Sequence, residues 1–164
     1  MVPILIVDDS QDDLFLAKRV VRKAKILNPI HLFSKAADCI EFFGTAPPDA
    51  QPALIFLDLV MKPLSGLDVF PLLAHNPLFK QSITVMLTNL SDIPYIHESY
   101  QAGASSFLMK PFELNDLTVL ISSFSKHFVL QERPGGNYLL WVKNRQPHST
   151  EQNVPANLTG NSDR

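Results

Sequence analysis

The stretch "PILIVDDSQDD", residues 3–13, passes from an unbroken apolar run into four carboxylates within six positions. A run this short and this β-branched is a strand, and its lack of polar alternation marks a strand buried on both faces. Two further runs have the same character: "ALIFL" at 53–57, ending at Asp58, and "SITVML" at 82–87, ending at Thr88. Helical patterns separate them. Leu14, Ala17, Val20, Val21 and Ala24 recur at helical spacing between Ser10 and Lys25, and Ala36, Cys39, Ile40 and Phe43 carry a second helix to Gly44. "IHLF" at 30–33 and "GASSFLM" at 103–109, which leads to Lys110, supply two more strands. Helices are expected over about 66–75, about 94–101 and 113–128, the last with Leu114, Leu117, Leu120, Ile121 and Phe124 on one face. Strand and helix alternate five times, which predicts an α/β fold: a doubly wound parallel sheet of five strands with helices on both faces. Pro71 fits this scheme poorly, because it should kink the third helix or displace its start.

In such a sheet a ligand sits at the carboxyl ends of the strands. Those ends carry Asp8 and Asp9, Asp58, Thr88 and Lys110. Ser10, followed three residues later by Asp13, has the pattern of a capping box, and Asp12 and Asp13 suit the positive end of a helix dipole. That accounts for half of the acidic run and leaves Asp8 and Asp9. Asp58 alone reads equally as a cap, and Lys110 and Thr88 alone as a loop lysine and a strand-end residue. Together they are more specific, since neighbouring first and third strands would bring Asp8, Asp9 and Asp58 to one place. Two such charges about 4 Å apart repel by about 4 kcal/mol at an effective dielectric of about 20. A hard divalent cation answers that repulsion, because Mg²⁺ takes oxygen ligands and uses one or two carboxylates together with phosphate oxygens.

Composition removes other classes. The 164 residues suffice for one domain, or one domain with an appendage, and the net charge of −2 comes with no basic run or basic amphipathic helix. Neither nucleic acid nor a membrane is an expected partner. The single cysteine, Cys39, excludes an internal disulfide and a multi-cysteine zinc site, and the five histidines have no metal-ligand spacing. No secretory signal or apolar span is visible, so the expected compartment is the cytoplasm.

"ILIVDDS", "LIFLDLVMKPLSG", "VMLTN" and "SFLMKPF" stand in order and near the usual spacing of a known family. Over residues 3–128 the chain resembles the receiver domains of two-component response regulators. The resemblance implies strand order 2-1-3-4-5, Asp58 as phosphoacceptor, Asp9 as a Mg²⁺ ligand, and Asp8 acting on the metal through water. It also implies a metal contact from the Val60 backbone carbonyl, Thr88 as switch hydroxyl, Lys110 as the phosphate-pairing lysine, and a cis bond before Pro111. Phe107, three before the lysine, is either a switch aromatic or a packing residue. The implied role is signalling rather than enzymatic: a phosphoryl group arrives from a histidine kinase or phosphotransfer protein, and the output is association with a protein target. "NPLFKQSITVMLTN" and "SYQAGASSFLMKPF" are similar to the single-domain regulators of bacterial phytochrome kinases, which would imply a phytochrome-type donor and a homodimer formed through the fourth and fifth strand-helix region.

Val60 and Leu90 are apolar where many relatives are polar, which predicts a long-lived phosphoryl group, and Asn89 is bulkier than the small residue usual there. The receiver is expected over 1–130, with 131–164 as a C-terminal extension too short for an effector domain. "RPGG" should break the last helix, "YLLWV" at 138–142 should fold back on the domain or serve a partner, and the end from Gln146 should be disordered. A flavodoxin-like cofactor binder is disfavoured because "DDSQDD" would repel a phosphate. A phosphatase with an aspartyl phosphate intermediate lacks its second acid at Val60. A receiver-like adaptor working without phosphorylation remains the alternative.

Overall fold

The computed structural model describes residues 2–142. Strands β1 (Ile4–Val7), β2 (Ile30–Phe33), β3 (Leu54–Asp58), β4 (Ile83–Thr88) and β5 (Ser106–Met109) form one parallel sheet in the order β2-β1-β3-β4-β5. Helices α1 (Gln11–Lys23), α2 (Ala36–Thr45), α3 (Gly66–Leu73), α4 (Pro77–Gln81), α5 (Ile96–Ala102) and α6 (Leu114–Ser123) cover its faces. Period-two geometry divides each strand between two cores. Ile4, Ile6, Leu54, Phe56, Val85 and Leu87 pack with Leu14, Val21, Leu117 and Leu120 of α1 and α6. Leu5, Val7, Ile55, Leu57 and Met86 face Cys39, Phe43, Val69, Phe70 and Phe79 on the other side. Both faces of β1, β3 and β4 are therefore dry, which is why these strands show no polar alternation.

Helix boundaries follow local chemistry. Ser10 Oγ accepts the Asp13 N–H at 3.2 Å and starts α1, and a reciprocal Ser65–Asp68 capping box starts α3. Pro71 does not displace that start. It lies inside α3, which ends two residues later at Leu73 rather than at the expected His75. Asn76 then caps α4, a short helix absent from the sequence reading: its Oδ1 accepts from Leu78 N and Phe79 N, and Pro77 occupies the first turn. The helix expected at 94–101 is a 3-10 turn over Leu90–Tyr95 running into α5.

The largest departure is at the C-terminus. The helix expected to reach Phe128 stops at Ser123, and Phe128–Arg133 and Gly136–Trp141 form an antiparallel hairpin, β6 and β7. Residue 130, where the receiver was expected to end, lies within β6. The "YLLWV" segment does fold back: Leu139 is fully buried in the α1–α6 core and Trp141 packs on Phe128 with ring centroids 4.7 Å apart. Asn28, also fully buried, ties the hairpin down. Its Nδ2 donates to the Val2 and Leu139 carbonyls at 2.8 and 3.0 Å, and its Oδ1 accepts the Leu139 N–H at 2.8 Å. Gly135 turns with φ +93°, and at Gly136 a side chain would collide with the Lys25 carbonyl and Leu27. The end from Gln146, expected to be disordered, lies outside the described residues.

Candidate functional site

Parallel pairing from β2 through β5 brings all the carboxyl strand ends to one edge. Asp8 follows the last residue of β1, Asp58 ends β3, Thr88 ends β4, and Lys110 follows β5. The loop from β3 returns directly under Asp58. Gly66 N donates to the Leu59 carbonyl at 3.0 Å, and a Cβ at Gly66 would run into the Asp58 carbonyl. Only glycine lets α3 begin there.

Oxygens of Asp8, Asp9 and Asp58 lie within 4.8 Å of one another. Asp8 is fully buried, with Oδ1 accepting the Ser10 N–H at 2.9 Å and Oδ2 accepting from Lys110 Nζ at 2.8 Å. Asp9 is exposed at the rim. Asp58 is buried, and Lys110 Nζ stands 3.1 Å from its Oδ1. That approach is an ion pair, the one charge partner that Asp58 Oδ1 has among the described residues. Burial above all, and then the Asp8 charge, push the Asp58 carboxyl up to about 7. Burial likewise raises Asp8, against the hydrogen bonds from Lys110 and Ser10. For Lys110, burial works against the charge, but the hydrogen bonds to Asp8 and Asp13 outweigh it and hold the ammonium above its ordinary range.

The remaining expectations divide. Thr88 is fully buried beside the site, and its hydroxyl makes only a long 3.5 Å contact to the Leu108 carbonyl. Phe107 is 37% exposed and packs edge-on against Tyr100 at 6.3 Å, outside the cluster. Val60, at 52% exposure, projects to solvent from the loop after Asp58. Asn89 N–H donates to Asp92 Oδ2 at 2.7 Å, while the Leu90 side chain lies outside what the structure describes. The Lys110–Pro111 bond is cis, and so is Lys62–Pro63, which was not foreseen.

One site residue was missed. Asp13, read as half of a capping box, sends its carboxylate to Lys110 Nζ at 3.0 Å instead of back to Ser10 N. The signal available was its place one helical turn beyond Asp9, on the first turn of a helix leaving the same strand end.

A buried carboxylate thus stands at the carboxyl edge of a 2-1-3-4-5 sheet, flanked by two further carboxylates and a lysine. The sequence profile of the response regulator receiver domain matches residues 4–122. The chain belongs to the response regulator receiver family. Among relatives of this receiver, the transcriptional regulatory protein DcuR of Shigella flexneri is 31% identical over 116 residues, covering 69% of this chain and 46% of that protein. The response regulator Rcp1 of Synechocystis sp. is 25% identical over 129 residues, covering 77% of this chain and 88% of that one. The solved bacteriophytochrome response regulator RtBRR has the same fold, with a TM-score of 0.70 at 24% identity over 82% of this chain and 84% of its own. The receiver spans under half the length of the first curated relatives it matches, 26% for the NtrC regulator of Proteus hauseri and 46% for DcuR. Receiver domains are signalling domains that generally bind Mg²⁺ at an acidic pocket, and the three aspartates here could hold such an ion. No helix among the described residues is long and apolar enough to cross a membrane.

Proposed function

We propose that this receiver takes a phosphoryl group on Asp58 from a histidine kinase or phosphotransfer protein and signals by association. The observation that carries the reading is the placing of Asp58: a buried carboxylate at a strand end, with Asp8 and Asp9 oxygens within 4.8 Å and Lys110 Nζ 3.1 Å from its Oδ1. A carboxylate so placed has a cation at hand to neutralise an incoming phosphoryl group. A carboxylate oxygen attacks phosphorus, the bond from phosphorus to the donor nitrogen breaks, and the imidazole leaves with a proton. Lys110 neutralises the charge gathering on the phosphoryl oxygens, and Thr88 can turn its weakly bonded hydroxyl towards them. Asp9, Asp58 and the Val60 carbonyl, with Asp8 acting through water, are the groups that would hold Mg²⁺. When bound, the ion supplies further charge neutralisation.

A phytochrome-type kinase is the proposed donor. The two neighbours described as bacteriophytochrome regulators cover 82% and 81% of this chain, against 75% and 76% for two CheY-type receivers. Association between copies is assigned to the α5–β5 face, where Tyr95, Tyr100, Phe107 and Met109 are exposed together. Incubation with an acyl phosphate and Mg²⁺, read by intact mass, tests the central claim. Wild type should gain one phosphoryl group and Asp58→Asn none; an unmodified wild type would favour the phosphorylation-independent adaptor.

A further inference from the structure

Lys110 has three N–H donors, and the structure commits two of them to carboxylates other than Asp58. Nζ bonds Asp8 at 2.8 Å and Asp13 at 3.0 Å and pairs with Asp58 at 3.1 Å, so three carboxylates share one ammonium. The two partners are unlike. Asp8 is sealed in the interior and cannot be released without stranding a buried charge. Asp13 has a side chain 36% exposed and makes no other side-chain hydrogen bond among the described residues, so water can replace Lys110 there at little cost.

We propose that Asp13 is a positioning residue for Lys110: its carboxylate shares the ammonium with Asp58 in the resting protein and yields it when a phosphoryl group arrives. This rests on Asp58 being the phosphoacceptor. A phosphoryl group brings up to two negative charges and three acceptor oxygens, which outbid a partly exposed carboxylate. Asp13 thereby weighs against the phosphorylated state, and removing its charge should favour that state.

The probe is beryllium fluoride, a phosphoryl mimic, titrated with Mg²⁺ into the full chain by calorimetry. Asp13→Asn should bind it about two- to fivefold more tightly than wild type, the range of a partly exposed ion pair. Asp13→Ser should do the same, guarding against a folding defect in either variant. Asp13→Glu, which keeps the charge, should restore wild-type affinity. Asp12→Asn removes the same charge from the same helical turn without touching Lys110, and should change nothing. An equal gain in Asp12→Asn would overturn the proposal in favour of general electrostatics, and unchanged or weaker binding by both Asp13→Asn and Asp13→Ser would overturn it outright. Failure of every protein, wild type included, to bind the probe would instead sink the phosphoacceptor reading and the proposal with it.

Discussion

At the scale of single residues the site is built on electrostatic conflict. Burial lifts Asp58 from 3.8 to about 7, so between those values the folded protein holds a proton that the unfolded chain has lost. Without metal, stability should therefore fall as pH rises through that window, and the cost should be fully present above it. Asp58→Asn removes the Asp58 share of that slope, leaving what the raised Asp8 carboxyl contributes, and should be more stable than wild type in the metal-free protein at about pH 8, by on the order of 3 kcal/mol. Urea denaturation in EDTA across pH reads this directly, and a wild type whose stability is flat from mildly acid to mildly alkaline pH would contradict it. Val60 presents an apolar, half-exposed side chain next to Asp58. Val60→Gln should hasten phosphoryl loss by about tenfold, the effect of about 1.4 kcal/mol on the barrier. The decay of phosphorylated protein after removal of the donor is the measurement. Asp58 was legible in the sequence because it ends a buried strand, and Val60 because it stands two positions beyond in the motif that resembles the receiver family. Asp13 was legible only as lying one helical turn beyond Asp9; that its carboxylate reaches Lys110 rather than closing a capping box depends on the tertiary approach of β5.

Among the elements, the β6–β7 hairpin carries the clearest consequence. Asn28 satisfies three backbone groups with one side chain, so Asn28→Ala leaves the Leu139 N–H and two carbonyls without partners. A loss of about 2–4 kcal/mol is expected from denaturant melts. Leu139→Ala should cost a similar amount, about 2–5 kcal/mol, by opening a cavity in the α1–α6 core. If both variants melted like wild type, the hairpin would be an appendage rather than part of the fold. The sequence reading placed "YLLWV" against the domain but made a helix of Phe128, because Leu117, Leu120, Ile121 and Phe124 keep helical spacing up to that point. What ends the helix is the tertiary reward for Phe128, Leu139 and Trp141 in the core. Asn76 before Pro77 suits the start of α4, but a helix of five residues is too short to leave a periodic pattern in the sequence.

For the molecule as a whole, metal binding and folding are linked. An ion held by Asp9 and Asp58, with Asp8 acting through water, would bind the folded state alone, and at a hundred times its dissociation constant would add about 2.7 kcal/mol of stability. Mg²⁺ should accordingly raise the Tm of wild type, and should not raise that of Asp9→Asn. Local pattern sufficed for much of this protein. Short β-branched apolar runs read as strands with both faces covered, and five alternations lead to a parallel sheet whose carboxyl strand ends lie at one edge, while the strand order that makes Asp8, Asp58, Thr88 and Lys110 neighbours is what the family resemblance implied. Which of the carboxylates holds Lys110, how far burial lifts Asp58, and whether the last apolar segment is helix or hairpin were decided only by the tertiary structure. Those outcomes depend on distances between residues about a hundred positions apart and on water excluded by their neighbours, neither of which a local stretch of chain contains.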